Sequence, residues 1–280
     1  MDGRPIGVFD SGLGGLTVVR ALIDLLPDEH LVYFGDTGRF PYGPKPKEVV
    51  LKYAFEITEL LMGHDVKLVV VGCNSAAAAA LGELRARYEV PLTGVIEPGL
   101  RAAARATRSG RVGVIGTVGT IASGAYQRAA AALWPGVELA CAACPGFVEF
   151  VEAGDVDSDQ VFVLAERLLA PVKAAGVDTL VLGCTHYPLL ARTIGDVMGS
   201  SPSGDRVVLV SSGEETAFEV AGVLDAVGAR RQPARPPAGQ GGAEPARRRF
   251  LTSGDPATFR VLGSRFLGPE VDDVEAWRWS

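Results

Sequence analysis

The sequence predicts an α/β protein made of two pseudo-symmetric domains, each a mostly parallel sheet flanked by helices. Short apolar runs alternate with helix-spaced apolar positions along most of the chain, which is typical of parallel sheets covered on both faces. Residues 66–75 also align without gaps on residues 177–186, and residues 7–11 resemble residues 113–117. Repeats of this length indicate a duplicated domain.

The composition is that of a protein with sizeable cores that does not mainly bind nucleic acid. The chain has 280 residues, 48% of them hydrophobic, and a formal net charge of −6. This length suits two domains of moderate size, and the negative charge disfavours nucleic acid as the main partner. No apolar run approaches the roughly 20 residues that a membrane span needs, and we see no signal peptide. We therefore expect a soluble cytoplasmic protein with no membrane partner, whose four cysteines are reduced.

The first half alternates strands and helices from its start. Residues 10–15 form a tight loop after the first strand, and residues 35–46 form a loop rich in Gly and Pro that is long enough to suggest a function. Apolar spacing and the turn residues between the runs define the elements. The predicted strands are 5–9, 31–34, 66–71 and 92–96, and the predicted helices are 16–26, 46–61 and 75–88.

The second half repeats this alternation. Its predicted strands are 112–115, 137–140, 179–182 and 207–210, and its predicted helices are 99–107, 121–133, a short one around 147–151, 160–174 and 188–198. A further helix follows up to residue 227, and a last one spans 258–267. Between them, residues 228–249 are rich in Pro, Gly and Arg, which predicts a flexible insert. We expect a first domain of residues 1–97 plus 211–280 and a second of residues 98–210.

Two cysteines lie at equivalent strand ends, Cys73 in the first half and Cys184 in the second. Ligands in open α/β sheets bind outside the carboxyl ends of the strands, so the functional site is predicted in the cleft between the domains. Two thiols that face one substrate can remove a proton from one side of a carbon and donate one to the other, which inverts that carbon. A following helix N-terminus would lower the pKa of each thiol, and His186 and Asp10 could assist.

Several motifs occur in an order that resembles glutamate racemase, of the aspartate/glutamate racemase superfamily. They are residues 9–15 (FDSGLGG), 41–43 (PYG), 73–76 (CNSA), 94–99 (GVIEPG), 115–117 (IGT) and 182–188 (LGCTHYP). The resemblance extends to about residue 227. It implies a cofactor-independent enzyme that interconverts L- and D-glutamate for peptidoglycan synthesis, and we expect a homodimer with glutamate as its small-molecule substrate.

The resemblance also implies roles for single residues. Cys73 would deprotonate D-glutamate and Cys184 L-glutamate, while Asp10, His186 and Glu152 match auxiliary catalytic groups. The implied substrate contacts are Asp10, Ser11, Pro41, Tyr42, Gly43, Asn74, Ser75, Thr185 and His186. Hydroxyl, amide and backbone N–H groups of this kind can hold two carboxylates and an ammonium without a metal. The chain departs from the family pattern at Ser75, where threonine is more usual, and in the insert at 228–249.

Other interpretations stay open at this point. Cys141 and Cys144 have the spacing of a redox or zinc pair, but the second pair of ligands that zinc needs is missing, which favours structural cysteines. The loop at 12–15 lacks the full dinucleotide-binding fingerprint and is better interpreted as a tight turn that could hold a carboxylate. Racemisation of aspartate, hydrolysis by a cysteine nucleophile beside His186, and a binding protein that retains the site are the alternative functions.

Overall fold

The computed structural model describes residues 2–232 and 244–279. Within these ranges the strands are β1 (Ile6–Asp10), β2 (Leu31–Gly35), β3 (Leu68–Val71), β4 (Leu92–Gly94), β5 (Arg111–Gly116), β6 (Glu138–Ala143), β7 (Thr179–Gly183), β8 (Val208–Ser211), β9 (Arg248–Thr252) and β10 (Val274–Ala276). The helices are α1 (Leu16–Leu25), α2 (Lys47–Gly63), α3 (Asn74–Arg87), α4 (Ile96–Ala106), α5 (Val118–Ala122), α6 (Ala125–Leu133), α7 (Phe147–Ala153), α8 (Asp159–Ala174), α9 (Ala191–Met198), α10 (Gly213–Ala226) and α11 (Pro256–Leu267).

Two parallel sheets confirm the predicted fold class. The first has the strand order β10-β9-β2-β1-β3-β4 and the second β6-β5-β7-β8. The stretch β2-β1-β3-β4 therefore repeats the order of the whole second sheet, with β3 equivalent to β7. Strand β3 is fully buried, and each buried Val contributes about 1.5–3 kcal/mol of transfer free energy. The repeat in the sequence thus corresponds to a repeat in strand order.

The end of the chain adds two strands to the first sheet that the sequence did not predict. Strand β9 pairs with β2, with Leu31 opposite Arg248, and β10 pairs with β9. The predicted insert at 228–249 was therefore wrong at its C-terminal end, because Arg248 and Arg249 belong to β9. The start of the predicted insert is also bonded to the first domain, since the Arg231 backbone N–H donates to the Glu29 carboxylate at 2.8 Å. Residues 233–243 of the predicted insert lie outside the described residues. We retain the predicted two-domain division as a proposal.

Two predicted helices are interrupted. Gly124, at φ +66°, separates α5 from α6, where the sequence predicts one helix at 121–133. The helix predicted at 188–198 begins as a 3₁₀ turn, Tyr187–Leu190, and becomes α-helical only at Ala191. The second difference affects the site, because the segment directly after Cys184 is then not the first turn of an α-helix.

Candidate active site

A cavity of about 100 Å³ lies where the carboxyl ends of the two sheets meet. Cys73 follows β3 and Cys184 follows β7, the equivalent strand of the second sheet, and both thiols line this cavity. Its lining residues are Ser11, Phe40, Pro41, Tyr42, Gly43, Pro44, Cys73, Asn74, Ser75, Thr117, Val118, Cys144, Pro145, Gly146, Val148, Glu149, Cys184, Thr185 and His186. The structure therefore brings the two thiols to one cavity.

Cys73 lies at the N-terminus of α3. Its residue is 5% exposed, and its Sγ donates to Ser11 Oγ at 3.6 Å. Burial, and then the charge of Asp10, raise the pKa of this thiol to about 12, although the Ala76 backbone N–H and the Ser11 hydroxyl and N–H act in the opposite direction. The thiol is therefore protonated at neutral pH, and additional positive charge nearby would favour its ionisation.

The Cys184 thiol has a histidine side chain beside it, and no α-helix begins directly after it. The His186 Nδ1 atom lies 3.9 Å from Cys184 Sγ, and its Nε2 atom lies 2.7 Å from a carboxylate oxygen of Glu152. Burial lowers the pKa of His186, but the hydrogen bonds to Cys184 and Glu152, together with the charges of Cys184 and Asp10, outweigh it and raise the pKa to about 10. The imidazole is thus cationic at neutral pH and places its charge beside the Cys184 thiol.

Asp10 and Glu152 lie behind the wall of the cavity. Asp10 is fully buried and accepts hydrogen bonds from the Gly12 backbone N–H at 2.8 Å, from Ser11 Oγ at 3.1 Å and from Thr185 Oγ1 at 3.1 Å. Burial raises the pKa of Asp10, and the charge of His186 is the main opposing influence. Asp10 therefore orients the Ser11 and Thr185 hydroxyls that do line the cavity.

Polar groups from both halves form the rest of the predicted contact set. Ser75 Oγ lies 3.0 Å from Thr117 Oγ1 and 3.2 Å from Thr120 Oγ1, so that three hydroxyls meet across the cleft. Asn74 Nδ2 donates to Tyr126 Oη at 2.9 Å, while Asn74 Oδ1 is buried and accepts no hydrogen bond from the described residues. An unpaired buried amide oxygen is an acceptor ready for a ligand.

The loop between β2 and α2, which we call the β2–α2 loop (residues 36–46), supplies Pro41, Tyr42 and Gly43. Gly43 O accepts from the Gly119 backbone N–H at 2.9 Å, and a Cβ on Gly43 would lie 2.8 Å from Thr117 Cβ. This close approach is possible because position 43 has no side chain. The ring of Tyr42 is buried and its hydroxyl donates to Asp36, so Tyr42 contributes to the wall without a free hydroxyl.

Some lining residues were not predicted as site residues. They are Phe40, Pro44, Val118, Cys144, Pro145, Gly146, Val148 and Glu149. Most of these residues belong to the start of α7 or directly precede it, and in this part of the chain the family resemblance identified only Glu152. Thr117 also lines the cavity; the sequence indicates it, with Thr120, as a weaker candidate because both lie at a strand end of the second half. Cys144 is 1% exposed, and burial raises its pKa to about 12, so it forms an inert part of the wall.

All four cysteines are free thiols. In the described ranges, no group of three or more His, Cys, Asp or Glu residues is placed to bind a metal ion. Nor does any helix within residues 2–232 and 244–279 have the length and hydropathy required to cross a bilayer.

Comparison with known proteins agrees with the motifs. The family model described as Asp/Glu/Hydantoin racemase matches residues 6–215. The glutamate racemase of Parafrankia sp. (strain EAN1pec) is 54% identical over 274 residues, which cover 98% of this chain and 94% of the relative. That of Mycobacterium leprae (strain TN) is 51% identical over 274 residues, covering 98% and 96%.

Solved structures agree as well. The glutamate racemase isoform RacE1 from Bacillus anthracis has a TM-score of 0.88 and 38% identity, covering 100% of this chain and 98% of its own. The enzyme from Francisella tularensis in complex with D-glutamate has a TM-score of 0.87 and 30% identity, covering 99% and 98%. These likenesses confirm the resemblance stated from the motifs. The chain belongs to the Asp/Glu/hydantoin racemase family.

Proposed function

We propose that this protein is a glutamate racemase that moves protons at the α-carbon of glutamate with two cysteines, Cys73 and Cys184. The observation that carries the proposal is that both thiols, from equivalent strand ends of two similarly ordered sheets, line one cavity. Relatives named glutamate racemase, about 50% identical over almost the whole chain, support the choice of glutamate.

The proposed reaction needs one base and one acid on opposite faces of the α-carbon. With L-glutamate, the Cys184 thiolate takes the α-proton, and the electron pair of the broken C–H bond delocalises into the α-carboxylate. The Cys73 thiol then donates its proton to the opposite face, which forms D-glutamate and leaves Cys73 as the thiolate. The reverse direction begins with that thiolate, so no proton or electron is left unaccounted for.

The ammonium of the substrate helps to ionise Cys73. Burial favours the protonated form of this thiol, and a cation brought into a buried site favours the charged form of a neighbouring thiol. Asn74 lines the cavity, and we propose that its buried Oδ1, which accepts no hydrogen bond from the described residues, receives one N–H of that ammonium. We propose that ligand binding and activation of the base are thereby coupled.

The carboxylates of the substrate are proposed to bind hydroxyls and the N-terminus of α3. The first backbone N–H groups of a helix lack intrahelical partners and favour an anion. Ser75 and Thr117 add hydroxyl donors along the cavity, whereas the Ser11 and Thr185 hydroxyls donate to Asp10. Donors held in place before charge develops on the α-carboxylate stabilise the carbanion, which is the main energetic requirement of this reaction.

The two thiols have different auxiliary groups. His186, held by Glu152, would stabilise the Cys184 thiolate with its positive charge. Asp10 would act on the Cys73 side through Ser11, whose hydroxyl contacts both Asp10 and Cys73. We propose that the reaction uses no cofactor, since the thiols and their partners supply every proton that moves.

We further propose that the protein works in the cytoplasm as a homodimer and supplies D-glutamate for peptidoglycan. Four free thiols suit a reducing compartment. Light scattering coupled to size-exclusion chromatography tests the dimer, and rescue of a D-glutamate auxotroph tests the cellular role.

The deciding experiment is circular dichroism of purified protein with L-glutamate, D-glutamate and L-aspartate and no added cofactor. Signal should decay from both glutamate enantiomers and stay constant with aspartate. Nuclear magnetic resonance in deuterated water should show deuterium at the α-carbon of the product. Decay of the signal with aspartate alone would show that the substrate is aspartate and not glutamate. No decay with any of the three amino acids would refute the proposed reaction.

A further inference from the structure

We propose that the C-terminal segment positions the β2–α2 loop for substrate binding through a cluster around the buried Asp36, formed by Asp36, Arg39, Tyr42, Ser253 and Trp279 and here called the Asp36 cluster. The inference rests on the proposed function, because it assigns the cluster to the binding of glutamate. It makes a tryptophan near the end of the chain a positioning residue of the active site.

Asp36 is the centre of the cluster. It follows β2 directly and is fully buried. One carboxylate oxygen accepts from Arg39 Nε at 2.7 Å and from the Tyr42 hydroxyl, and the other accepts from Ser253 Oγ at 2.6 Å and from Trp279 Nε1 at 3.3 Å. A buried carboxylate needs donors to offset its lost hydration, and here the donors come from the loop, from the end of β9 and from the C-terminus.

Arg39 joins the loop to the C-terminus a second time. Its guanidinium carbon lies 3.8 Å from the ring centroid of Trp279 and 3.9 Å from that of Tyr53, so the cation is held between two aromatic faces. It also pairs with Asp36 and Glu56. Desolvation lowers the pKa of Arg39, but these carboxylates outweigh it, and the net direction is upward. Trp279 therefore contacts both charges that shape the start of the loop.

Further bonds fix the same end of the loop to β9. Thr37 Oγ1 lies 2.6 Å from Thr252 Oγ1, and the Gly38 backbone N–H donates to Ser253 Oγ at 3.0 Å. Strand β9 is in turn paired with β10, and the Trp277 backbone N–H donates to Thr252 O at 2.7 Å. The C-terminal strands thus form the support on which the loop rests.

The other end of the loop forms one wall of the cavity. Phe40, Pro41, Tyr42, Gly43 and Pro44 all line it, and Gly43 O is bonded to the Gly119 N–H of the opposite half. Tyr42 belongs to both ends, because its residue lines the cavity and its hydroxyl binds Asp36. A shift at Asp36 is therefore transmitted directly to the wall that the substrate contacts.

This arrangement predicts a separation between KM and kcat. The loop carries neither thiol nor the histidine, so loosening it weakens the binding of substrate and transition state to a similar extent. A change that removes such uniform binding raises KM and leaves kcat nearly constant. Loss of general stability would instead lower the amount of active enzyme at unchanged KM.

The test compares Trp279→Ala with Trp277→Ala. Trp277 lies in the same segment and is 37% exposed, and its ring packs against Trp279, whereas Arg39 stacks on the rings of Trp279 and Tyr53. Trp279→Ala should raise KM for both enantiomers roughly tenfold, with kcat within about threefold of the parent, because it removes an aromatic face from Arg39 and a donor from Asp36. Trp277→Ala should change KM by less than about twofold. Trp279→Phe keeps the ring over Arg39 without the N–H and should fall between them.

Two further measurements keep the outcome decisive. If Trp279→Ala does not purify folded, Arg39→Lys replaces it, because lysine keeps the charge but cannot stack and donate in the same geometry. Hydrogen exchange of residues 36–45 should speed up in either variant, and this readout does not depend on turnover. An unchanged KM in both variants, or an equal rise in Trp277→Ala, would overturn the proposal. Absence of glutamate turnover in the parent protein would count against the proposed function instead, and unchanged exchange at 36–45 would then also refute the positioning role.

Discussion

The Thr185 hydroxyl donates a hydrogen bond of 3.1 Å to the Asp10 carboxylate, and this bond joins the two halves beside the cavity. Thr185 follows Cys184 at the end of β7, and Asp10 is the last residue of β1. The buried Asp10 carboxylate thus depends on the opposite half for one of its three donors. Because this bond spans the two halves, a change in the relative position of the sheets would alter the surroundings of the Asp10 carboxylate. The charge of Asp10 acts on the pKa of Cys73, so the two are linked.

We expect Thr185→Val to lower kcat/KM about tenfold to a hundredfold, because a buried carboxylate loses a donor and a cavity-lining hydroxyl disappears. Thr185→Ser keeps the hydroxyl and should retain most of the activity. The measurement is racemisation of L- and D-glutamate by circular dichroism. Equal activity of the Val and Ser variants would show that the bond to Asp10 is not used.

Replacing Cys73 or Cys184 should strongly reduce racemisation in both directions. Cys73→Ser and Cys184→Ser should each lower kcat/KM by about 10²–10⁴, because a hydroxyl is a far weaker acid than a thiol. The two enantiomers have equal free energy in water, so the ratio of kcat/KM between directions must stay the same in every variant. Cys141→Ser is the matched control, since Cys141 does not line the cavity. Full activity of one of the two serine variants would refute a two-base mechanism.

The sequence predicts the location of the two thiols better than it predicts which residues surround them. Cys73 and Cys184 can be located because each follows an apolar run, and parallel strands place their carboxyl ends at one edge. Contacts between residues that are far apart in the chain leave no local pattern in the sequence. Glu152 lies 34 residues from its partner His186, and Trp279 lies 243 residues from Asp36. Strand β9 escaped prediction because its two arginines follow a Pro- and Gly-rich stretch, and only its pairing with β2 makes it a strand.

His186 predicts a specific pH dependence of stability. Its pKa is raised from the ordinary 6.5 to about 10, so between these values the folded protein binds a proton that the unfolded chain releases. This contribution to the free energy of unfolding is fully present below pH 6.5 and is lost as the pH rises through about 10. Urea unfolding of the parent and of His186→Asn at a series of pH values should give a difference that shrinks across this window. A constant difference would contradict a cationic His186.

Gly14 permits the close approach of the β1–α1 loop to the second half. A Cβ at this position would overlap Thr185 Oγ1 and lie 2.5 Å from His186 Nδ1, closer than real Cβ contacts allow. We expect Gly14→Ala to lower kcat/KM by about tenfold or more, because a misplacement of about 1 Å near the reacting groups can cost about a hundredfold. Gly222→Ala in α10 is the control, since nothing lies within 4 Å of its added Cβ. It should keep full activity and gain about 0.5–1 kcal/mol of stability.

A buried ion pair should contribute strongly to stability at the amino ends of the strands of the first sheet, opposite the cavity. Lys67 Nζ lies 2.6 Å from Glu29 Oε2, and the two side chains are 0% and 2% exposed. Lys67 also donates to Asp2 O at 2.9 Å and to Ala229 O at 2.8 Å, so it fastens both ends of the described chain before residue 233 to the sheet. Lys67→Met should cost about 3–5 kcal/mol in urea unfolding, because it leaves a buried carboxylate without its cation. Adding Glu29→Gln should recover part of that loss, as the amide oxygen can still accept from the Arg231 N–H.

The exposed pair of Lys47 and Glu83, with side chains 57% and 46% exposed, gives the comparison, and Lys47→Met should cost less than about 1 kcal/mol. Equal losses for the two Lys→Met variants would show that burial does not set the strength of the Lys67 pair.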